Sequence, residues 1–179
     1  MCKQTTADYQ VPNMEADKDG FYVPTVVKKS SIPNAGNARY FLDSHKKGTI
    51  VRRQKIDSKI CFRNVEDVKE SGIDIEHLGH MGCSPPPECE FYQDAVFVNN
   101  PPMYSQQSPN PNIYCTYTGT EKLCILLRDV EPEEEWQQDY AAYREVKWYE
   151  DYMNGLNLKS LRQFGAELNA MYASGELTI

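Results

Sequence analysis

The sequence contains no run of about 20 apolar residues, which is the length that a helix needs to cross the hydrocarbon core of a bilayer. Its first residues, MCKQTTADYQ, also lack the apolar stretch of a secretory signal peptide. We therefore expect no membrane contact and an intracellular location, either nuclear or cytoplasmic.

An excess of basic charge is absent as well. The chain has 19 Lys and Arg residues against 26 Asp and Glu residues, which gives a formal net charge of -7 at pH 7. Proteins that bind nucleic acids directly need clustered cations to contact phosphates, so this class is disfavoured. The acidic stretch at residues 131–135 is typical of a solvated surface. We expect a protein substrate or a protein partner, and a basic protein would complement the net charge.

The signatures of several common enzyme classes are missing. The sequence has no G-x-S-x-G elbow, no P-loop and no G-x-G-x-x-G after a predicted strand. Its three histidines, His45, His77 and His80, lie in predicted polar turns. Hydrolases with a nucleophile and a histidine base, and nucleotide-binding enzymes with a glycine-rich loop, are therefore disfavoured.

One cluster of potential metal ligands is present, formed by His77, His80, Cys83 and Cys89. Zinc accepts imidazole and thiolate ligands in proteins. The spacing of these four residues matches no common zinc-binding pattern, and the glycines and prolines around them predict an irregular surface loop. We expect no bound metal.

The cysteines of the sequence are irregularly spaced, unlike those of disulfide-rich proteins. In a reducing compartment such residues are thiols rather than a set of disulfides. Two of them fall in predicted strands, where we expect buried core thiols. The six cysteines are Cys2, Cys61, Cys83, Cys89, Cys115 and Cys124, and the two in strands are the last two.

The composition predicts a folded chain. Of its 179 residues 40% are hydrophobic and 11% are aromatic, which is enough to bury a core. Residues 1–20 are polar and end at Asp19-Gly20, so we predict a loose leader there. We predict a main domain at residues 21–145, with an insert around 57–95, and a C-terminal helical extension at 146–179.

Short β-rich segments separated by turns dominate the main domain. The apolar runs at 113–118 and 122–127 flank Gly119-Thr120 and predict a hairpin whose second strand is central in its sheet. The fold class is therefore mainly β or α+β. Further strands are predicted at 21–23, 25–27, 38–42, 49–53 and 91–98, one short helix at 64–76, an irregular stretch at 77–90, a polar loop at 99–112 and a terminal helix at 156–171.

Three segments, taken in order, resemble the SET domain, the fold of protein lysine methyltransferases. They are VVKKSSIPNAGNARYFLDSHKKGTIVRRQ, QQSPNPNIYCTYTG and LLRDVEPEEEWQQDY. The family has a G-x-G turn and a K-G-x-x-[IV] turn, then N-H-S-x-x-P-N before a strand pair, then R-[DN]-[IV]-x-x-G-E-E-[LI]-x-x-D-Y. The resemblance spans residues 26–140. It implies a SET-type β-fold of several short sheets with a knot-like C-terminal crossing, plus C-terminal helices.

The resemblance also implies a site for S-adenosyl-L-methionine and a lysine channel. Tyr140 matches the family's closing tyrosine, which lies near the lysine amine and the departing methyl group. An apolar aromatic channel would favour the neutral amine that attacks the methyl group. By the resemblance, the cofactor-binding residues are Gly36, Asn37, Ala38, Arg39, Gln106, Gln107 and Ser108, and the channel residues are Tyr104, Tyr114 and Tyr143, with Tyr117 also available.

Two functions follow from this resemblance. The first is an S-adenosylmethionine-dependent protein-lysine N-methyltransferase of the SET type. The second is a catalytically inactive SET-fold protein that acts as a binding or structural subunit. A third interpretation is another β-rich domain with similar strands and turns. The positions that differ from the family pattern bear on the choice, and they are Ala38 for the second glycine, Gln106 and Gln107 for Asn-His, Glu133 for glycine and Trp136 for Leu or Ile.

Overall fold

The computed structural model describes residues 15–57 and 60–177. Residues 1–14 of the predicted leader, including Cys2, lie outside this part. The strands are β1 Thr25–Lys29, β2 Asn37–Phe41, β3 Ile50–Lys55, β4 Cys61–Phe62, β5 Gly82–Cys83, β6 Val96–Val98, β7 Gln106–Gln107, β8 Ile113–Tyr117, β9 Glu121–Leu126 and β10 Gln137–Gln138. The helices are α1 Val65–Ser71, α2 Ile75–Met81, α3 Lys147–Gly155 and α4 Leu161–Ser174, with a 3₁₀ helix at Tyr140–Ala142.

The chain divides into two compact units, and each is built from two separate stretches of sequence. The first unit consists of Met1–Lys55 and Met103–Gln138, and the second of Ile56–Pro102 and Asp139–Ile179. The domain boundaries and the insert given above stay predictions.

The first unit contains three small sheets. β1 and β2 pair antiparallel, and β3, β9 and β8 form a second antiparallel sheet in that order. The predicted hairpin is confirmed, since β8 and β9 pair and β9 is the central strand. β7 and β10 pair parallel, which brings residues 137–138 beside 106–107. This pairing lies in the region for which the knot-like crossing is predicted, and the crossing itself stays a prediction.

The core of the first unit surrounds Trp136, whose side chain is fully buried. Its ring lies 5.4 Å from Phe41 and 5.6 Å from Phe21, measured between ring centroids. Burial of large aromatic side chains supplies much of the stabilisation of such a core. The other buried members are Val23, Val51, Met103, Ile113, Cys115, Cys124, Leu126 and Val130.

The second unit contains the sheet β4-β6-β5 and the four α-helices of the described residues. Side-chain caps mark the starts of α1, α2 and α4, whereas α3 begins after Val146 without one. Asn64 caps α1, Asp74 caps α2, and Ser160 forms a capping box with Gln163 at the start of α4. The buried core of this unit consists of Phe62, Val68, Leu78, Val96, Val98, Val146, Tyr149 and Met153.

The prediction of an irregular stretch at 77–90 was wrong for its first part, because residues 75–81 form α2. Two helices therefore replace the single predicted one. The glycine that suggested disorder packs closely instead, since a Cβ at Gly79 would lie 2.8 Å from Met153 Cε. Asp74 begins the helix by accepting a hydrogen bond from Glu76 N at 3.3 Å. Close packing and a cap thus outweigh the low helix propensity of glycine here.

Three other boundaries differ from the prediction. Only residues 96–98 of the predicted strand 91–98 form a strand, and residues 21–23 make a single bridge between Phe21 and Arg52. The predicted terminal helix at 156–171 begins at Leu161. The preceding helix, α3, ends at Gly155, and Asn157 has a φ of 56°, which a helix does not continue through.

The observed architecture is mixed α+β, with several small sheets and C-terminal helices, as predicted. Within the described part of the chain, no helix is long and apolar enough to cross a membrane.

Candidate functional site

The turn between β1 and β2 carries the glycine of the first motif segment. Gly36 has a φ of 76°, and its carbonyl accepts a hydrogen bond from Ser30 N at 2.9 Å. This left-handed conformation favours glycine over other residues. A Cβ at Gly36 would meet no atom within 4 Å, so one side of the turn is open. The backbone at Gly36 is therefore accessible to a ligand.

The side chain of Gln106 joins the second motif segment to this turn. Its Nε2 donates hydrogen bonds to the carbonyls of Asn37, at 2.8 Å, and Ala35, at 3.2 Å. Gln106 and Ala35 are 71 positions apart in the sequence. The fold thus brings together two of the segments that the resemblance assigns to the cofactor.

The side chain of Arg39 is half-buried and makes several contacts within the first unit. Its guanidinium donates to Thr25 Oγ1 at 2.6 Å and to the carbonyl of Met103 at 3.2 Å. It also stacks over the ring of Phe21 at 3.9 Å. Burial lowers the pKa of the Arg39 guanidinium, and the nearby charge of Arg52 lowers it further. These contacts hold the side chain of Arg39 against the core of the first unit, and its cofactor role stays a prediction.

Gln107 and Ser108 lie deeper than Gln106, with 3% and 0% of their surfaces exposed. Gln107 pairs in register with Gln138, and Ser108 N donates to the carbonyl of the same residue at 3.0 Å. The hydroxyl of Ser108 accepts a hydrogen bond from Asn110 N at 3.1 Å, which tightens the turn. Both residues therefore lie inside the junction between the second and third motif segments.

Asn112 completes this junction. Its Nδ2 donates to the carbonyl of Glu135 at 2.8 Å, and its Oδ1 accepts from Gln137 N at 2.9 Å. The side chain is 1% exposed, so water cannot replace these bonds. Asn112 therefore serves as an extra strand partner for the segment that carries β10.

Glu135 is a site residue that the sequence analysis did not assign. Its carboxylate accepts hydrogen bonds from the hydroxyls of Ser30 and Ser31, both at 2.6 Å, and of Tyr40 at 3.1 Å. Burial raises the pKa of the Tyr40 phenol, and the bond to Glu135 raises it further. Glu135 thus holds the start of the turn that contains Gly36, through Ser30 and Ser31. The signal for it was its place as the second of the paired acids in the third motif segment.

The rest of the acidic stretch at 131–135 is also engaged within the protein. Glu134 forms an ion pair with Arg128 at 2.6 Å, and Glu133 forms one with Lys28. Glu131 accepts a hydrogen bond from the hydroxyl of Ser44 at 2.6 Å. The solvated surface predicted for this stretch holds for residues 131–133, which are exposed, whereas Glu135 is buried.

Asp129 links the third motif segment to the lysine turn of the first. Its carboxylate accepts hydrogen bonds from Lys46 Nζ at 2.7 Å and from Lys47 N at 2.8 Å. The bond to Lys46 lowers the pKa of Asp129, and the backbone bond from Lys47 lowers it further. The same pair raises the pKa of Lys46. Each of the three motif segments is therefore tied to another by a side chain.

Two departures from the family pattern have a conformational explanation. Ala38 lies in β2 with an ordinary negative φ and is fully buried, so the position does not need a glycine. Glu133 has a φ of 69° in the place where the family has glycine. The backbone conformation is thus retained at Glu133 without the residue that adopts it most easily.

The predicted catalytic Tyr140 and channel residue Tyr143 belong to the second unit. Tyr140 begins the 3₁₀ helix and is 9% exposed, and Tyr143 follows that helix and is 7% exposed. Asp139 caps the helix by accepting from Ala141 N and also accepts from Asn169 Nδ2 of α4, both at 3.0 Å. The roles of Tyr140 and Tyr143 stay predictions.

The tyrosines of the first unit point in different directions. Tyr114 is half-buried in β8, and Tyr117 is buried in the same strand on the opposite face, since side chains alternate along a strand. Tyr104 has a φ of 54°, and its carbonyl accepts a hydrogen bond from Arg39 N at 2.9 Å. Tyr114 and Tyr117 therefore cannot line one channel together, and the channel role of Tyr104 and Tyr114 stays a prediction.

The potential metal ligands do not form a site in the structure. His77 and His80 lie on α2, while the thiols of Cys83 and Cys89 are buried and donate to the carbonyls of Phe97 and Phe91, each at 3.5 Å. Across residues 15–57 and 60–177, no group of three or more His, Cys, Asp or Glu side chains is arranged to hold a metal ion.

Comparison with known proteins gives a likeness in structure alone. No protein-family model matches the sequence, and no curated protein matches it. A solved structure of ctPRC2, in an autoinhibited conformation bound to S-adenosylmethionine, aligns with a TM-score of 0.51 and 14% identity, over 74% of this chain and 17% of that one.

Two other solved structures align less closely. One, described as the structural basis for the product specificity of histone lysine methyltransferases, has a TM-score of 0.47 and 14% identity over 69% of this chain and 52% of that one. A humanised mutant of the Chaetomium thermophilum Polycomb Repressive Complex 2, bound to the inhibitor GSK126, has a TM-score of 0.48 and 12% identity over 69% and 16%. The chain thus spans about half or less of the length of these solved chains. The predicted resemblance in fold to SET-domain methyltransferases is confirmed.

Proposed function

We propose that the protein is an S-adenosylmethionine-dependent protein-lysine N-methyltransferase of the SET type. The observation that carries this proposal is the pair of hydrogen bonds from Gln106 to the carbonyls of Ala35 and Asn37. These bonds unite two segments that the family resemblance assigns to one cofactor. The structural likeness to a chain of a complex bound to S-adenosylmethionine supports the same assignment at the level of the fold.

The turn at Gly36 fits a ligand that approaches the backbone closely. Gly36 has open space where a Cβ would lie, and the side chain of Asn37 beside it is exposed. Gly36, Asn37 and Gln106 would line this side of the cofactor, with Gln107 and Ser108 supporting them from within. S-adenosylmethionine would supply an activated methyl group on a sulfonium, which transfers to a neutral lysine amine.

In this proposal Tyr140 is the catalytic residue that orients the lysine amine. The amine must be neutral to attack, and an apolar aromatic environment would favour the neutral form by excluding water, with Tyr143, which directly follows the same 3₁₀ helix, as the predicted channel residue of this unit. Orientation of the two reacting atoms can account for a large part of the rate, so Tyr140 needs a rigid position. The cap on its helix from Asp139 supplies such rigidity.

A second function is favoured by a different property of Gln106. Its amide group has two hydrogens to donate, and the structure directs both to carbonyls of the protein itself. Arg39 and the paired acids Glu134 and Glu135 are likewise occupied by neighbouring side chains. A SET-fold protein that no longer transfers methyl groups, and that serves as a binding or structural subunit, would retain such contacts for stability.

Calorimetric titration with S-adenosylmethionine separates the two functions. The design uses Gly36→Ala together with Gly175→Ala, because both glycines have a φ near 80° with no atom within 4 Å of an added Cβ. The two variants share the same backbone strain, but Gly175 lies at the end of α4. Binding by the wild type and Gly175→Ala, with loss in Gly36→Ala, supports the cofactor site. A folded wild-type protein that does not bind refutes the enzyme and leaves the subunit.

Transfer of a radiolabelled methyl group to protein lysines tests the reaction itself. Tyr140→Phe should bind the cofactor as the wild type does and lose transfer. We propose that the substrate is a protein, and that a basic one is preferred because of the net charge of -7. Basic and acidic protein mixtures compared at low and high salt test that preference. Equal transfer to both mixtures would contradict it.

A further inference from the structure

We propose that Cys115 and Cys124 form a reversible disulfide site that a small hydroperoxide oxidises and a dithiol reduces. The two residues face each other in β8 and β9, and their Sγ atoms are 2.8 Å apart. Both are thiols rather than members of a disulfide in the structure. A disulfide bond is about 2.0 Å long, so closing it requires a relative movement of less than about 1 Å.

The position of the pair in the ladder favours this bond. Leu127 N donates to the carbonyl of Asn112 and Thr118 N to that of Glu121, at 2.9 and 2.8 Å. Each of these hydrogen-bonded pairs lies three positions from the cysteine pair along the hairpin. Because bonded and non-bonded pairs alternate in an antiparallel ladder, Cys115 and Cys124 form a non-hydrogen-bonded pair. Side chains approach most closely in pairs of this kind.

The surroundings of the pair define which oxidant can reach it. Cys115 is fully buried and Cys124 is 1% exposed. Arg52 pairs in register with Cys124 on the other side of β9, which places a cation beside the sulfurs. Burial raises the pKa of the Cys115 thiol, while Lys122 and Arg52 oppose that change. Because the sulfurs are buried, a small uncharged hydroperoxide would reach them more readily than a bulky disulfide such as oxidised glutathione.

The reaction takes two electrons from the two thiols. The thiolate of one cysteine attacks the peroxide oxygen and becomes a sulfenic acid, and the peroxide leaves as an alcohol or as water. The second thiol then attacks the sulfenic sulfur, the S–S bond forms, and the hydroxyl of the sulfenic acid leaves with the proton of that thiol as water. One hydroperoxide is reduced for each disulfide formed. A dithiol restores the two thiols by thiol–disulfide exchange.

The other described cysteines lack this geometry and serve as internal controls. Cys83 and Cys89 donate to backbone carbonyls at 3.5 Å, and Cys61 is half-buried in β4. Formation of the disulfide would also affect two neighbouring side chains. Cys124 Sγ lies 3.7 Å from Met103 Sδ, and Cys115 Sγ lies 3.9 Å from Gln138 Oε1, in the parallel pair of β7 and β10.

The test uses the full chain, reduced and then treated with hydrogen peroxide under native conditions. Thiols are counted in denaturant, and the mass is measured before and after. We expect a loss of two of the six thiols and a loss of about 2 Da, both reversed by dithiothreitol. Trypsin cleaves at Lys122, between the two cysteines, so peptide mapping identifies the bond as a linked pair of peptides, with chymotrypsin to separate Cys115 from Cys83 and Cys89.

Two variants and one measurement on the wild-type protein test the proposal. Cys124→Ala should lose no thiols to a disulfide, and Cys61→Ser should behave as the wild type. Mapping of the wild type requires no substitution and stands even where Cys124→Ala does not fold. Recovery of Cys115 and Cys124 as free thiols after treatment, or a bond from either one to a different cysteine, would overturn the proposal.

Discussion

The side chain of Asn112 and the backbone of Glu135 are joined by a 2.8 Å hydrogen bond in a region that solvent does not reach. The same amide accepts from Gln137 N, so one side chain pairs two backbone groups of the third motif segment. Glu135 in turn holds Ser30, Ser31 and Tyr40 of the first segment. The candidate cofactor turn is therefore positioned by a chain of contacts that begins at Asn112.

Asn112→Ala should destabilise the protein by about 2–4 kcal/mol, because it leaves two buried backbone groups without partners. Asn110→Ala is the matched control, since Asn110 is exposed and only its backbone makes a hydrogen bond in the structure. We expect a change within about 0.5 kcal/mol for the control. Free energies of unfolding from urea titration check both values. Equal effects of the two substitutions would contradict the role of Asn112.

Gln106→Ala should lower the stability by about 1–2 kcal/mol through loss of its two hydrogen bonds, and should weaken cofactor binding. Gln137→Ala, in the register partner of the same short sheet, is the control that keeps the turn intact. Calorimetry on both variants checks the binding. A Gln106→Ala protein that keeps the wild-type affinity would show that the turn does not depend on this amide.

Glu133→Gly should raise the stability by about 0.5 kcal/mol. Glycine relieves a left-handed conformation that disfavours other residues by about 1–2 kcal/mol, and this gain exceeds the loss of an exposed ion pair and the greater chain entropy of glycine. Glu131→Gly, at a position without a positive φ, should lower it by a similar amount. Opposite shifts of the unfolding midpoint are expected, and shifts of the same sign would contradict the assigned strain.

Asp129→Asn should make the free energy of unfolding less dependent on pH in the acidic range. The pKa of Asp129 is lowered in the folded protein from its ordinary 3.8, so the bond to Lys46 stabilises the fold above that pH. The stabilisation is lost as the pH falls through the lower folded value. Urea titrations of both proteins between about pH 6 and pH 3 should therefore converge at the acid end. A constant difference between the two curves would show that the charge of Asp129 is not involved.

The parts of the fold that are determined by residues close together in the sequence could be predicted from it. The hairpin of β8 and β9 follows from two apolar runs on either side of Gly119-Thr120, because such a pair closes over a short loop. The turn at Gly36 follows from a glycine between two strands. The helix α2 could not be predicted in this way, since Gly79 is explained only by the approach of Met153 from α3.

The candidate site was predictable where the family resemblance names a segment, and not where a distant contact changes the character of a residue. Gln106 and the Gly36 turn were assigned to one site and do meet. The acidic run predicts that Glu135 is solvated. In the structure it is buried and accepts hydrogen bonds from hydroxyl groups up to 105 positions away in sequence. The contacts of Arg39 with Phe21 and Thr25 could not be predicted from its neighbours in sequence, and its cofactor role stays a prediction.

The separation of the first unit into two stretches of sequence has a consequence for synthesis. β3 is complete at Lys55, but its partner β9 begins at Glu121, after the whole of residues 56–102 has been made. Contacts so distant in sequence form slowly, because a long loop must close before they stabilise anything. A nascent chain that stops before residue 121 would present the unpaired edge of β3 to other chains. The first unit therefore folds late on the ribosome, and shortened products of this protein are expected to aggregate.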